Sequence, residues 1–211
     1  MGSIVMHLCV AHEANKVLKL DNNKFMVGSI APDIHKISGG SRIDSHYIKK
    51  YEIDGKTYEL PDLDAFIKEH GTQIKDDAFI AGYYAHLIAD RIWYKEVSCK
   101  YTEMEGEDFV KVIGKENPLP YDEYRRQIYD DYTTINDFLL QKYNVDTDYL
   151  YNVAVLNVDR ADFQKMLEKN LESKGYEVDE NVQLNILQMD DILEWIEKSK
   201  DEIIKEISKY L

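Results

Sequence analysis

The sequence predicts an all-α fold, a bundle of several helices that carries one small β-hairpin near residues 50–60. Along long segments, apolar residues recur every three or four positions, which is the period of an amphipathic helix. An Asp-Gly pair at positions 54–55, flanked by alternating apolar and polar residues, is typical of a tight hairpin. A chain of this length buries roughly 70% of its unfolded surface, so we expect one domain over residues 1–211.

The helices are predicted from the apolar period, and several are followed by residues that end them. The predicted helices span residues 4–20, 61–70, 76–97, 121–143, 160–173 and 190–211. The polar run Asp21–Asn23 ends the first helix. Gly71 and Gly175 follow two of the others. Glycine is common just after a helix, because it readily adopts the left-handed conformation found there.

Two irregular segments separate the first helices. Residues 25–32 predict a short apolar helical turn, which Pro32 closes because the residue before a proline avoids the helical conformation. Asp33 follows directly, and residues 39–42 predict a loop. The hairpin strands lie within residues 51–60.

The two halves of the chain differ in character. Residues 101–211 predict packing helices, and residues 1–100 contain the candidate functional side chains. The helix over residues 121–143 carries a stripe of large apolar and aromatic residues on one face: Tyr121, Tyr124, Ile128, Tyr132, Ile135, Leu139 and Tyr143. Such a stripe can line a pocket, but aromatic residues at helical spacing more often pack in a core, and we favour the core.

The composition excludes some classes of protein. The hydrophobic content is 44% and the charged content 31%, and no apolar run approaches the ~20 residues that cross a bilayer. We therefore expect no integral membrane segment. A formal charge of −14 argues against docking to nucleic acid or anionic lipid, which clustered lysines and arginines drive. A phosphate-handling site in so acidic a chain needs a local positive field, which a metal supplies.

The cysteines and the N-terminal residues bear on the cellular compartment. No basic segment precedes the short apolar stretch at the start, and His7 and His12 interrupt that stretch. Cys9 and Cys99 are too few for a disulfide framework. We expect a cytoplasmic protein in which both cysteines are reduced and buried.

The most informative pair of residues is His86 and Asp90, in an apolar stretch of the helix predicted over residues 76–97. Residues four apart share a helix face, so an imidazole and a carboxylate point together towards the core. A buried carboxylate needs a cation or a proton. A hydrogen-bonded structural pair would meet that need, and so would a divalent metal.

Two further residues stand out by their context. Asp33 follows a helix-breaking proline, and His46 lies in the segment Asp44–Tyr47. Together with His86 and Asp90 they offer two nitrogen and two oxygen ligands, a set suited to zinc and acceptable to manganese, iron or cobalt. All six histidines lie within the first 86 residues, so we expect the chemistry in the N-terminal half.

Four short segments resemble the bacterial zinc-dependent phospholipase C family, whose wider relatives include the S1/P1-type nucleases. They are His7-Leu8-Cys9-Val10-Ala11, Gly28-Ser29-Ile30-Ala31-Pro32-Asp33, Ser45-His46-Tyr47 and Gly82-Tyr83-Tyr84-Ala85-His86-Leu87-Ile88-Ala89-Asp90, the last followed by Trp93. The four occur in the family's order and spacing within about the first hundred residues. The resemblance implies a phospholipase C/P1 nuclease-like helical bundle.

The resemblance also implies a ligand set for one or two zinc ions. The first metal would be held by four residues: Asp33, His46, His86 and Asp90. Asp90 would bridge to a second metal, to which His7 would be the N-terminal ligand. Asp33 and Asp90 are the candidate catalytic residues, since either carboxylate can assist as a base while it remains a ligand.

The remaining histidines receive structural interpretations. Five residues rotate a helix by about 140°, so His7 and His12 do not both face the site, and we favour His7. His35 is near enough to Asp33 to be an alternative ligand, but we favour a structural role, and His70 is expected to interact with a helix C-terminus. No histidine follows His86, so the third zinc site of the family's secreted members is expected to be missing.

Two functions remain open. The first is a metal-dependent phosphoesterase that acts on a small phosphoester or a phospholipid head group, with Tyr47, Tyr83 or Arg91 as possible phosphate contacts. The second is a binding or structural protein in which a single metal holds the N-terminal helices together. No Gly-x-Ser-x-Gly elbow or phosphate-binding P-loop is present in the sequence. The oligomeric state stays open.

Overall fold

The computed structural model describes residues 2–53, 55–105, 109–152, 159–171, 175 and 177–211. Helices dominate this part of the chain, which confirms the predicted all-α class. The α-helices are α1 (Ile4–Leu18), α2 (Asn22–Gly28), α3 (His35–Ser38), α4 (Arg42–Ser45), α5 (Leu63–His70), α6 (Ala78–Ile92), α7 (Cys99–Tyr101), α8 (Tyr121–Tyr143), α9 (Arg160–Leu171) and α10 (Met189–Ile207).

The predicted hairpin is present. Strands β1 (Ile48–Ile53) and β2 (Lys56–Pro61) pair antiparallel, with Tyr51 opposite Tyr58. In the turn, Gly55 has φ +75°, a conformation that glycine adopts without steric cost. Asp54, the other turn residue of the prediction, lies outside the described residues.

A second small sheet was not predicted. It contains β3 (Thr102–Glu105), β4 (Phe109–Val112) and β5 (Leu119–Pro120) in the spatial order β3-β4-β5. Along β4, exposed and buried residues alternate, as expected of a strand with one covered face. Four residues are too short a run for this alternation to stand out in the sequence.

The structure corrects the prediction at two helix boundaries. Pro32 does not close a helical turn; it lies in the first positions of a 3-10 helix, Ala31–Ile34, where its fixed φ favours the helix and its missing N–H costs nothing. The helix predicted over residues 76–97 is α-helical only to Ile92, and the chain continues as a π-helix, Trp93–Ser98. Asp77 caps α6 by accepting a hydrogen bond from the Phe79 amide.

The other predicted helices agree closely with the structure. Helix α8 has the predicted bounds, and α1 ends two residues early at Leu18, followed by Lys19 in the left-handed conformation. Helix α10 ends at Ile207 rather than at the predicted Leu211. Ser173, the predicted end of α9, lies outside the described residues.

Side chains from the whole length of the described chain form the main hydrophobic cluster, from Ile4 in α1 to Ile207 in α10. Helix α1 packs against α6, α8 and α10, and α2 packs against α6. The first turns of α1 are buried on every side, because residues 4–11 are all covered. A helix that is apolar all round belongs inside a domain, so α1 and α6 bring their polar residues into the interior.

Helices α2 and α6 cross at two glycines. A Cβ atom on Gly28 would lie 2.1 Å from the Phe79 carbonyl oxygen, and one on Gly82 would lie 2.0 Å from that of Phe25. Each glycine therefore contacts the backbone of the opposite helix, and no other residue fits there without moving it. This close approach holds Ser29, just after α2, beside α6.

Two remaining predictions can be compared with the structure. Cys9 is buried as expected, but Cys99 is exposed, because it follows the π-helix on the surface. Among the helices of the described residues, none combines the length and the apolar character that crossing a bilayer requires.

Candidate metal centre

The centre of the candidate site is on α6. His86 and Asp90 are 1% and 0% exposed, and His86 Nε2 lies 3.8 Å from Asp90 Oδ2. As predicted, the two side chains share one face of the helix, and they lie close together in the interior of the protein. Burial of a carboxylate at this depth is costly unless charge compensates it.

Helix α1 adds His7 to this pair. His7 Nε2 lies 3.3 Å from Asp90 Oδ1, and its ring stacks on that of His86 with 3.9 Å between centroids. His12, five residues later, is only half-buried and lies outside both groups of candidate ligands in the described residues. The structure therefore places His7 and not His12 at the site, as the rotation of the helix predicts. We call His7, His86 and Asp90 the helix group.

Short helical turns supply the other residues. Asp33 lies in the 3-10 helix and His46 follows α4, and both are fully buried. His46 Nε2 lies 3.4 Å from Asp33 Oδ1, 3.3 Å from His86 Nε2 and 3.8 Å from Asp90 Oδ2. His46 thus contacts every other residue of the four-ligand set implied by the resemblance.

His35 is also close to these residues. The ligand atoms of Asp33, His35 and His46 lie within 4.8 Å of one another, and we call these three residues the turn group. His35 Nδ1 lies 2.9 Å from the Pro32 carbonyl oxygen, which only accepts, so this nitrogen carries the proton and Nε2 has the free lone pair. The structural role favoured for His35 from sequence missed this placement.

His86 is held in the same tautomer. Its Nδ1 donates to the Ser29 carbonyl oxygen over 2.8 Å, so Nε2 carries a lone pair and faces the centre. A histidine that binds a metal characteristically donates its other N–H to such an acceptor. The close crossing of α2 and α6 positions Ser29, and so fixes the orientation of the His86 ring.

The buried oxygen atoms fit a metal. Within the described residues, both carboxylate oxygens of Asp90, Asp33 Oδ2 and His7 Nε2 have no hydrogen-bond partner, and the remaining oxygen, Asp33 Oδ1, contacts the Lys36 ammonium. Buried polar atoms are normally hydrogen-bonded, and each exception needs an explanation. Imidazole nitrogens and carboxylate oxygens are the ligands that zinc prefers alongside thiolates, so this set of atoms fits zinc.

The protonation states are those that metal binding requires. Burial opposes ionisation of Asp33, but the Lys36 ammonium and His46 outweigh it and hold the pKa of Asp33 well below its ordinary value. The pKa of Asp90 is likewise lowered, because His7 and His86 outweigh its burial. Burial, reinforced by His7, lowers the pKa of His86 well below its ordinary value. Both carboxylates are therefore ionised and His86 is neutral near pH 7.

Lys36 is a site residue that the sequence analysis missed. Its ammonium lies 2.9 Å from Asp33 Oδ1, and its side chain is 29% exposed. The two residues are three apart at the start of α3, a spacing that places side chains on one helix face. That spacing was the available signal, but it depends on the 3-10 helix that holds Asp33 continuing directly into α3, which holds Lys36.

The proposed phosphate contacts have other partners. The Tyr83 hydroxyl donates to the Ser45 carbonyl, next to His46. Arg91 donates to the Pro61 carbonyl, and the Tyr47 hydroxyl lies within hydrogen-bonding distance of His70. Tyr47, Tyr83 and Arg91 therefore hold backbone and side chains around the site. His70 lies in the last turn of α5, as expected, and it also contacts Tyr47.

A cavity of about 720 Å3 opens beside the cluster. Lys36, Trp93 and Tyr94 line it on the side of the metal ligands. The lining also includes the first half of the α8 stripe, whereas the second half, from Ile135 onwards, packs in the core. The core interpretation of the stripe is wrong for Tyr121, which is exposed at the cavity; Tyr124 and Ile128 are half-buried there, and Tyr132 is buried in the core while also bordering the cavity.

The fold and the cluster define a class, a helical protein with buried histidine and aspartate side chains arranged as ligands for a divalent metal. The family model for zinc-dependent phospholipase C matches residues 6–210, nearly the whole chain. The chain belongs to the zinc-dependent phospholipase C family, whose members are metal-dependent phospholipid hydrolases. The family assignment confirms the resemblance seen in the sequence and extends it through the C-terminal helices.

No curated protein and no solved structure matched the chain. The ligand roles of individual residues therefore rest on the geometry described above.

Proposed function

We propose that this protein is a zinc-dependent phosphoesterase whose metal ligands are His7, Asp33, His46, His86 and Asp90. The observation that carries the proposal is the convergence of these five buried residues, since three of their four carboxylate oxygens accept no hydrogen bond within the described residues. A single metal would engage the set around His46. A second would use His7 and the other oxygen of Asp90.

Zinc bound here would polarise a phosphoryl oxygen and lower the pKa of a water molecule towards ~7. Asp90 would be the shared ligand, since one of its oxygens faces His7 and the other faces His46 and His86. Asp33 or Asp90 would accept the proton of the attacking water, because both carboxylates are ionised near pH 7. The Lys36 ammonium at Asp33 would attract the phosphate to this side of the cluster.

The alternative is one structural metal, which a closed shell of Asp33, His46, His86 and Asp90 would provide. A closed shell leaves no position for water. The cavity favours the enzyme, because one of its lining residues, Lys36, contacts the candidate ligand Asp33, and a purely structural site needs no such space nearby.

Metal content together with activity tests the proposal. Protein purified without added metal is analysed for zinc, then assayed with aryl phosphate monoesters and diesters and with a short-chain phospholipid. We expect about two zinc ions per chain and hydrolysis that a chelator abolishes. One tightly bound zinc with no hydrolysis of any ester would favour the structural alternative, and no bound zinc would exclude both.

Three further statements remain proposals. We propose that residues 1–211 form one domain, that the protein does not dock to nucleic acid, and that it is cytoplasmic. The net charge of −14 supports the second. Two free cysteines, one of them exposed, are compatible with a reducing compartment.

A further inference from the structure

Within the described residues, Arg42 is a half-buried cation that forms no ion pair with a carboxylate. Its guanidinium instead donates a hydrogen bond from Nη2 to the Tyr94 hydroxyl over 2.9 Å. By contrast Arg126, on the surface of α8, pairs with Glu123 and Asp130. Charges that are withdrawn from water are normally paired, and acidic residues outnumber basic ones in this chain by 40 to 26. Arg42 is therefore positioned for its contact with Tyr94.

The contact between Arg42 and Tyr94 connects two elements that supply candidate metal ligands. Arg42 is the first residue of α4, and the amide of His46, just after that helix, donates to the Arg42 carbonyl over 3.0 Å. Tyr94 lies one turn after Asp90, at the second position of the π-helix. A π-helical turn within a helix often marks a functional site. The hydrogen bond thus ties the element of His46 to that of Asp90.

Tyr94 also lines the cavity, as does Lys36, whose ammonium contacts Asp33. Burial, reinforced by the negative charge of Asp90, holds the pKa of Tyr94 well above its ordinary value. The Tyr94 hydroxyl therefore keeps its proton at physiological pH, and it is close enough to a candidate ligand for the charge of that ligand to act on it.

The proton of the Tyr94 hydroxyl is available to a bound molecule. A tyrosine hydroxyl can accept one hydrogen bond and donate another. Here the oxygen accepts from Arg42, and within the part of the chain that the structure describes no group accepts the proton. The positive charge of Arg42 polarises the hydroxyl and makes it a stronger donor. A donor fixed in advance stabilises the negative charge that develops on a phosphoryl oxygen during reaction.

We propose that the Tyr94 hydroxyl donates a hydrogen bond to a phosphoryl oxygen of the ester held at the metal ligands, and that Arg42 positions the hydroxyl for this contact. Tyr94 is then a catalytic residue, and Arg42 is a positioning residue that acts through it. The inference rests on the proposed phosphoesterase function and adds to it two residues that bind no metal.

Binding of inorganic phosphate tests the donor without turnover. Phosphate is titrated by calorimetry into the zinc-loaded full-length protein, and zinc content is measured on the same samples. Tyr94→Phe is expected to keep its zinc and to bind phosphate about tenfold more weakly, as the loss of one hydrogen bond to a charged group would cause. Tyr51→Phe is the control, because Tyr51 also lies against an arginine, Arg91, but on β1 and outside the cavity lining. It should bind phosphate as the unaltered protein does.

The role of Arg42 is tested with and without the Tyr94 hydroxyl. Arg42→Gln should keep its zinc and weaken phosphate binding about fivefold, and Arg42→Lys should recover part of this loss, because an ammonium can also donate to the hydroxyl. In the Tyr94→Phe background, Arg42→Gln should cause no further loss. Arg126→Gln is the charge control and should leave phosphate binding unchanged.

The outcomes separate the two proposals. Equal phosphate affinity of Tyr94→Phe and the unaltered protein, or a loss of zinc from Tyr94→Phe, overturns the role of Tyr94 while zinc and phosphate binding by the unaltered protein still support the phosphoesterase. An equal loss from Arg42→Gln in both backgrounds overturns the positioning role of Arg42. If the zinc-loaded unaltered protein binds no phosphate, both proposals are wrong.

Discussion

The helix group and the turn group reach the same buried centre by different structural means. His7, His86 and Asp90 project from α1 and α6, two regular helices of 15 residues each. The turn group comes from a 3-10 helix of four residues and from the ends of short helices. A long helix fixes its side chains through many backbone hydrogen bonds and packed neighbours, whereas a short turn depends on what surrounds it.

The two groups differ in exposure at one residue. All three members of the helix group are at most 1% exposed. In the turn group Asp33 and His46 are 0% exposed, but His35 is only half-buried, and Asp33 contacts the Lys36 ammonium, whose side chain is 29% exposed. The turn group is therefore the side of the centre that lies nearer the surface. Sites built on regular elements are positioned more precisely than sites on loops.

The largest effect is expected from Asp90→Asn, because Asp90 contacts ligands of both groups. We expect zinc content to fall below one equivalent and phosphoesterase activity to fall at least about 1,000-fold, more than the loss of an outer-shell partner would cause. Elemental analysis and ester hydrolysis measure this. Asp77→Asn is the control, since it removes a charge from the start of the same helix and asparagine caps equally well. Retention of two zinc ions by Asp90→Asn would refute the bridging role.

Asp33→Asn is expected to have a smaller effect, because it removes a ligand from the turn group alone. About one zinc should remain, with His7 and Asp90 among its ligands, and activity should fall roughly 100-fold. The same two measurements apply. If Asp33→Asn loses as much metal as Asp90→Asn, the two groups do not bind independently and the comparison fails.

Gly82→Ala tests the support of the helix group without changing a ligand. The added Cβ would meet the Phe25 carbonyl at 2.0 Å, so α2 and α6 must separate. We expect a loss of about 2–3 kcal/mol in the free energy of unfolding, measured by urea denaturation, together with weaker zinc binding as Ser29 moves away from His86. Gly40→Ala, whose Cβ would make ordinary contacts at 3.5 Å, should change neither quantity.

The variant His35→Gln tests whether His35, the third member of the turn group, binds the metal. We expect about tenfold weaker binding of one zinc, the lower end of what outer ligands and their partners contribute. Competition with a chromogenic chelator provides the affinity. His12→Gln is the matched control and should bind zinc as the unaltered protein does. Equal affinities in both variants would return His35 to a structural role.

The smallest expected effect is a pH dependence of the free energy of unfolding of the metal-free protein. The pKa of His86 is lowered in the folded state, so below the unfolded pKa of ~6.5 the unfolded chain binds a proton that the folded chain does not. The free energy of unfolding should fall by up to about 1.4 kcal/mol per pH unit from pH ~6.5 downwards. The pKa of Asp33 is lowered too, so its stabilisation persists until the pH falls below ~3.8.

Urea denaturation of chelator-treated protein at several pH values checks whether the His86 effect sets in at higher pH than the Asp33 effect. His86→Gln should show a shallower fall between pH ~6.5 and 5 than the unaltered protein. Parallel curves for the two proteins would show that His86 does not titrate as its burial implies.

The sequence predicted the two groups to different degrees. The period of α6 places His86 and Asp90 on one inward face, so this pair follows from helix geometry. Asp33 and His46 stood out by their sequence context, and His7 as a ligand emerged with the resemblance to a family. His35 was considered as an alternative ligand but not favoured, and Lys36 was missed, because their directions depend on α3 starting immediately after the 3-10 helix.

The cavity shows a second limit of prediction. Regular spacing identified the α8 stripe, but whether a stripe lies against the core or against open space depends on which elements pack on it. Tyr121 is exposed and lines the cavity, whereas Tyr143, at the other end of the same stripe, is packed in the core. The small sheet β3-β4-β5 was likewise beyond reach, because its strands are only two to four residues long.

Trp195 links the last helix to the metal ligands. Its indole N–H donates to the carbonyl of Ala89, 106 residues earlier in the chain, and its ring meets that of His7 edge to face. During synthesis, a ribosome must therefore complete most of α10 before the ligands on α1 and α6 are fully enclosed. Contacts of such high sequence separation form late and slow the folding of a domain. Zinc that binds during synthesis would therefore encounter these histidines and carboxylates while they are still incompletely enclosed and exposed to water.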